Sequence, residues 1–173
     1  KYRPSKKLMD HVGNIIKGKS EYILLDEQLV VYDRVFAEAK KGFHDKQKTA
    51  LIVRGGPGTG KSVIAINLMA DLLLKGYNAH YATGSRAFTT TLRKIIGQRG
   101  SAQFKYFNSY GQAEDNAVDV LIADESHRIR ITSNSRFTPR VKRSGTPQVQ
   151  ELLKAAKVAV FLIDDNQVVR PNE

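Results

Sequence analysis

Residues 49–62 read TALIVRGGPGTGKS. Thr49–Arg54 is a short, β-rich apolar run and reads as a buried strand. Gly55–Ser62 fits G-x-x-x-x-G-K-[ST]. Lys61–Lys75 then carries Val63, Ile64, Ile66, Leu68, Met69, Leu72 and Leu73 at helical spacing, with Gly76 as a stop. A glycine-rich turn between strand and helix lets successive backbone N–H groups point inward as an anion nest, and the helix N-terminus adds partial positive charge. On this reading Gly55, Gly56, Pro57, Gly58, Thr59, Gly60, Lys61, Ser62 and Val63 hold a nucleotide. Lys61 reaches its β- and γ-phosphates, and the Ser62 hydroxyl ligates Mg²⁺.

Downstream, the pattern alternates. Asn78–Ala82, Gln103–Phe107, Val118–Ala123 and Val158–Ile163 read as strands, and Ser85–Ile96 and Gln148–Ala156 as helices. Strands alternating with helices imply right-handed βαβ units, hence an α/β fold with a mainly parallel sheet covered on both faces. Upstream, Asp26–Lys40 has apolar residues at Leu29, Tyr32, Val35, Phe36 and Ala39, an amphipathic helix with Asp26 as its expected N-cap. Arg128–Pro147 contains six cations and no acid, and Pro139, Gly145 and Pro147 break any regular pattern. A connection that long is either mobile or functional.

Composition narrows the function classes. The chain has 173 residues, 28 Lys+Arg against 17 Asp+Glu for a formal charge of +11, and no cysteine. That excludes disulfides, thiolate metal sites and cysteine nucleophiles, and it suits a reducing cytoplasm. The excess positive charge suits a polyanion, either nucleic acid or an anionic membrane surface. The longest apolar stretch is interrupted by Asn67 and Asp71, so no segment is expected to span a bilayer. Because it opens at Lys1, the chain reads as a piece of something longer.

Two acidic clusters follow strands. Asp124 and Glu125 end the VDVLIA run, where a parallel sheet offers its ligand crevice. Beside a phosphate-binding loop such an Asp is expected to hold Mg²⁺, and the adjacent Glu to polarise a water against the γ-phosphate. Asp164-Asp165-Asn166-Gln167 ends the last strand, where a carboxamide is placed to sense that phosphate.

Taken in order, Gln28, GGPGTGKS, Tyr81-Ala82-Thr83-Gly84-Ser85-Arg86, Asp124-Glu125-Ser126-His127-Arg128 and IDDNQ resemble the first motor domain of a superfamily I helicase. Within that group the chain most resembles bacterial helicase-like P-loop ATPases related to the Schlafen C-terminal region. The resemblance runs from about Leu24 to Pro171, with residues 1–23 as an N-terminal extension. It implies a three-layer RecA-like P-loop NTPase domain that works on ATP and Mg²⁺. Gln28 matches the glutamine that reads the adenine edge. Thr83, Gly84, Ser85 and Arg86 match a segment that touches single-stranded DNA or RNA. Asp164 and Gln167 match the sensor motif. The resemblance also implies a second RecA-like domain, absent from this chain, that supplies arginine fingers. The fragment alone is therefore expected to hydrolyse ATP slowly.

The chain departs from that pattern in two places. Ile163 stands where the sensor motif has glycine, and Arg128 where these helicases usually carry glutamine, so unwinding does not follow from the resemblance. His127 gives the DEAH order, as either a hydrogen-bonding histidine or a catalytic part. Phe88, Tyr106, Phe107 and Tyr110 offer stacking faces or core packing. Three functions fit: a nucleic-acid-dependent motor, a nucleotide switch in a signalling or defence assembly, or a basic nucleic-acid-binding module with a vestigial P-loop.

Overall fold

The runs rich in Val, Ile, Leu and Ala form five strands: β1 (Thr49–Gly55), β2 (Ala79–Thr83), β3 (Phe104–Tyr106), β4 (Val118–Asp124) and β5 (Ala156–Asp164). The computed structural model describes residues 3–167; the expected limit of the resemblance at Pro171 lies outside them. Every strand pairing is parallel, and the sheet order is β1-β5-β4-β2-β3. Five helices complete the chain: α1 (Lys6–Lys17), α2 (Asp26–His44), α3 (Lys61–Leu74), α4 (Arg86–Ile96) and α5 (Gln148–Ala155).

The sheet separates two cores, giving three layers. Val120, Ile122, Val158, Val160 and Leu162 face one side, packed with residues of α1, α2, α3 and α4. Leu121, Ala123, Ala159 and Phe161 face the other, against Leu152 and Ala155 of α5 and the turn Phe107–Tyr110. Burial on both faces removes the polar alternation from β4, which is buried along its whole length. Helix α3 is apolar nearly all round because it is covered on several sides, by the sheet and by α1 and α2.

Three expectations are corrected. β1 is an edge strand that alternates between half-buried and exposed residues, with Ile52 64% exposed, because among the described residues only β5 flanks it. The N-cap of α2 is Leu25, since the Gln28 Oε1 accepts the Leu25 N–H at 3.0 Å and draws the helix start forward; Asp26 is the first helical residue. Gln103 and Phe107 fall in short 3₁₀ turns, which leaves β3 three residues long. Ser5 caps α1 through its Oγ, and Met9, Val12 and Ile16 are buried in the same core as α3. The segment 128–147 is organised by side-chain and backbone bonds: Asn134 Nδ2 donates to the Ser144 carbonyl at 2.7 Å, and Thr132 forms an isolated antiparallel backbone bridge with Pro147. Phe107 and Tyr110 are buried packing residues. No helix among the described residues is long and apolar enough to cross a membrane.

Candidate functional site

β1 delivers the glycine loop to the carboxyl edge of the sheet, and α3 begins directly after it. Gly60 is the N-cap of α3 with φ 78°, a left-handed conformation that glycine adopts without steric cost. An added Cβ there would fall 1.9 Å from Gln28 Nε2, so the bare backbone also makes room for α2. The Gln28 amide bridges this junction: Oε1 accepts the Leu25 N–H, and Nε2 donates to the Thr59 carbonyl at 3.4 Å. The Lys61 ammonium folds over the loop, donating to the Gly55 carbonyl at 2.8 Å and also to that of Gly56, and it stands 3.9 Å from Asp164. Thr59 Oγ1 donates to the Gly56 carbonyl at 2.9 Å and closes the turn.

The strand order decides what faces this loop. β5 lies beside β1 and β4 beside β5, so Asp164, Asp124 and Glu125 arrive from adjacent strand ends. A cavity of about 310 Å³ gathers Lys61, Ser62, Asp124, Glu125, Asp164 and Gln167, with Pro57 and Val63 also on its wall. A second cavity, about 590 Å³, lies on the α2 side of the same loop, with Leu25, Val31, Val53 and Ile64 as apolar walls and Gln28 among its polar groups.

Asp124 is almost fully buried and held on both oxygens. Its Oδ1 accepts the Glu125 N–H at 2.8 Å, and its Oδ2 accepts the Tyr81 hydroxyl. Burial, then the charge and hydrogen bond of Asp124, hold the Tyr81 phenol well above its ordinary range, so it stays protonated and donates; the Ser62 side chain reaches the same hydroxyl. The Tyr81–Asp124 contact is the part of the candidate site least visible in sequence: the two residues lie on different strands, and an aromatic on a strand reads as core.

Glu125 sits at φ 52°, an uncommon conformation for a residue with a Cβ, and it starts the 3₁₀ turn Ser126–Arg128. Its Oε2 accepts from Thr83 Oγ1 at 3.4 Å and lies 3.2 Å from Arg128 Nε. Both ring nitrogens of His127 are buried without a hydrogen-bond partner among the described residues, and His127 lines the smaller cavity.

The sensor cluster is closed on itself. Asp164 Oδ1 accepts the Asn166 N–H at 3.1 Å, and Oδ2 accepts from Gln167 Nε2 at 3.1 Å. Burial works to raise this carboxyl; those two bonds, with Lys61 and His127 nearby, outweigh it and hold Asp164 below the usual carboxylate range.

Thr83, Gly84 and Arg86 lie beyond this cavity, on the wall of a groove of about 600 Å³. Ser85 is drawn into the cap of α4: its Oγ accepts the Phe88 N–H, and its own N–H donates to Thr83 Oγ1 at 3.1 Å. The structure thus brings the loop, Asp124, Glu125 and Gln167 around one space, puts Gln28 on the loop's other flank, and sets the Thr83–Arg86 segment apart in the groove.

No curated protein matches the chain. A family model described as "Schlafen group 3, DNA/RNA helicase domain" matches residues 48–173, the span from the start of β1 through the sensor cluster. Motif order, parallel sheet and family match agree, and the chain belongs to the Schlafen group 3 DNA/RNA helicase domain family.

Proposed function

We propose that this domain binds Mg²⁺–ATP at the Gly55–Ser62 loop and hydrolyses it as the first RecA-like motor domain of a nucleic-acid-dependent helicase or translocase. The observation that supports this most strongly is the convergence of Lys61, Ser62, Asp124, Glu125 and Gln167 on one cavity from α3 and the ends of β4 and β5.

The residues fit the group. Ser62 and Asp124 offer hard oxygen ligands, and Mg²⁺ ordinarily takes one or two carboxylates with phosphate and water rather than a full protein cage. Among the described residues no cluster of three or more His, Asp or Glu forms such a cage. Mg²⁺ bound there would neutralise charge on the phosphate oxygens. The Lys61 ammonium is poised to exchange its carbonyl partners for phosphate oxygens, a charge-assisted and stronger bond. Glu125 orients the attacking water, and Gln167 senses the γ-phosphate. On the α2 side, the cavity lined by Leu25, Val31, Val53 and Ile64, with Asp26, Glu27 and Arg54 also on its wall, takes the adenine ring, whose edge Gln28 reads.

On this reading residues 24–173 form the motor domain and residues 1–23 its N-terminal extension. A second RecA-like domain of the intact protein completes the site with arginine fingers, and the protein works in the cytoplasm. Single-stranded DNA or RNA lies along Thr83, Gly84, Ser85 and Arg86. The test is ATP binding and turnover by the intact protein, with and without single-stranded DNA and RNA. Lys61→Ala is expected to lower turnover by about 10²–10³-fold, the scale of losing one preorganised charge donor. Unchanged ATP binding and turnover in that variant would refute the proposal.

A further inference from the structure

Arg128 faces two sites. Its Nε lies 3.2 Å from Glu125 Oε2, while its Cβ and Cδ pack over Gly84, where an added Cβ would come within 2.8 Å and 3.1 Å of them. It also borders the 600 Å³ groove, together with Arg86, Arg93 and Arg130, and no carboxylate among the described residues lines that groove. Arg93 is committed locally: its Nε donates to the Phe104 carbonyl at 3.0 Å, and its guanidinium stacks over Tyr106 at 5.3 Å. The side chains of Arg86 and Arg130 have no hydrogen-bond or ion-pair partner among the described residues. An acid-free groove with two uncommitted guanidinia suits phosphate oxygens, which arginine binds in bidentate fashion.

We infer that Arg128 is a latch that ties occupancy of this groove to the freedom of Glu125, an inference that rests on the proposed role of Glu125 in orienting water. Held by Arg128 and by the Thr83 hydroxyl, Glu125 Oε2 is occupied. The backbone beneath the pair is fixed, because the Arg128 N–H donates to the Glu125 carbonyl at 2.9 Å and the Glu125 N–H to Asp124. Only the side chains exchange partners. A backbone phosphate of single-stranded nucleic acid entering the groove competes for the Arg128 guanidinium and releases Glu125 toward the cavity. Because the coupling is reciprocal, anything that loosens Glu125 from Arg128 strengthens phosphate binding in the groove.

That reciprocity gives a test free of nucleotide. Binding of a labelled oligothymidylate and of an oligouridylate is measured for the intact protein, for Glu125→Gln, for Arg128→Gln and for the double variant. Glu125→Gln is expected to tighten binding about twofold to fivefold, the scale of one partly exposed ion pair. Arg128→Gln weakens binding and lowers the salt slope by about 1, as the loss of one phosphate contact requires. In the Arg128→Gln background the Glu125→Gln effect vanishes. Arg128→Lys, which keeps the charge and the packing over Gly84, retains part of it and guards against a folding defect. Equal tightening in both backgrounds would mean a general field effect and overturns the latch. Absence of oligonucleotide binding by the wild type also overturns it, while the Lys61→Ala comparison decides ATP binding separately. In turnover, Arg128→Gln raises polymer-free kcat at unchanged KM for ATP and loses stimulation; unaltered stimulation overturns the latch alone.

Discussion

The Tyr81 hydroxyl donates to Asp124 Oδ2, and the Ser62 side chain reaches the same hydroxyl from α3. That phenol thus orients the carboxylate proposed for the metal. Tyr81→Phe keeps the buried ring and removes only that link. Mg²⁺-dependent binding of a fluorescent ATP analogue is expected to need about tenfold more Mg²⁺, as when a supporting contact to a metal ligand is lost. An unchanged Mg²⁺ titration would deny Tyr81 this role.

Gly58 and Gly60 both have positive φ, but only Gly60 faces an obstacle, the Gln28 amide. Alanine at either position costs about 1–2 kcal/mol for the left-handed backbone. Gly60→Ala should cost clearly more and should weaken ATP-analogue binding, since Gln28 must leave the loop. Denaturant unfolding of the two variants side by side gives the difference; equal losses would mean that Gln28 yields without cost.

His80 lies next to Tyr110, with Nδ1 3.0 Å from the hydroxyl. Burial first, and then the charge of Lys105, lower its pKa from 6.5 to about 4. Between those values the unfolded chain takes up a proton that the folded one refuses. Stability is therefore complete above pH 6.5 and declines as pH falls toward 4, by at most about 3 kcal/mol. His80→Gln should flatten this part of the urea-unfolding profile; a slope equal to that of the wild type would falsify the assignment to His80.

Ile16 on α1 is fully buried among residues of the main core. Ile16→Ala should destabilise the domain by about 2–5 kcal/mol, the cost of a cavity at a site that cannot collapse. A loss near zero in thermal or urea unfolding would show α1 to be detachable.

Much of this was legible because local rules agree with the global fold. Strand, glycine loop and helix are adjacent in sequence, so Gly55–Ser62 and its flanks could be read directly. β4 and β5 could be read because double burial leaves long apolar runs, interrupted only by Asp119 and Lys157 near their starts. Met9, Val12 and Ile16, preceded by Ser5, carry the helical spacing and cap that α1 realises. β1 read as buried because its apolar composition says nothing about its place at the sheet edge. Tyr81–Asp124 and Gln28–Thr59 join residues far apart in sequence, and only the crossover order brings them together.

β1 and β5 are zipped by seven register pairs that end at Gly55 and Asp164, and the Asp165 N–H adds a bond to the Gly55 carbonyl at 3.3 Å. Loop anchor and sensor anchor are in effect one plate. A change of ligand cannot slide these backbones past each other without tearing the ladder, so information passing between them must travel by rotation of Asn166, Gln167 and Lys61 side chains.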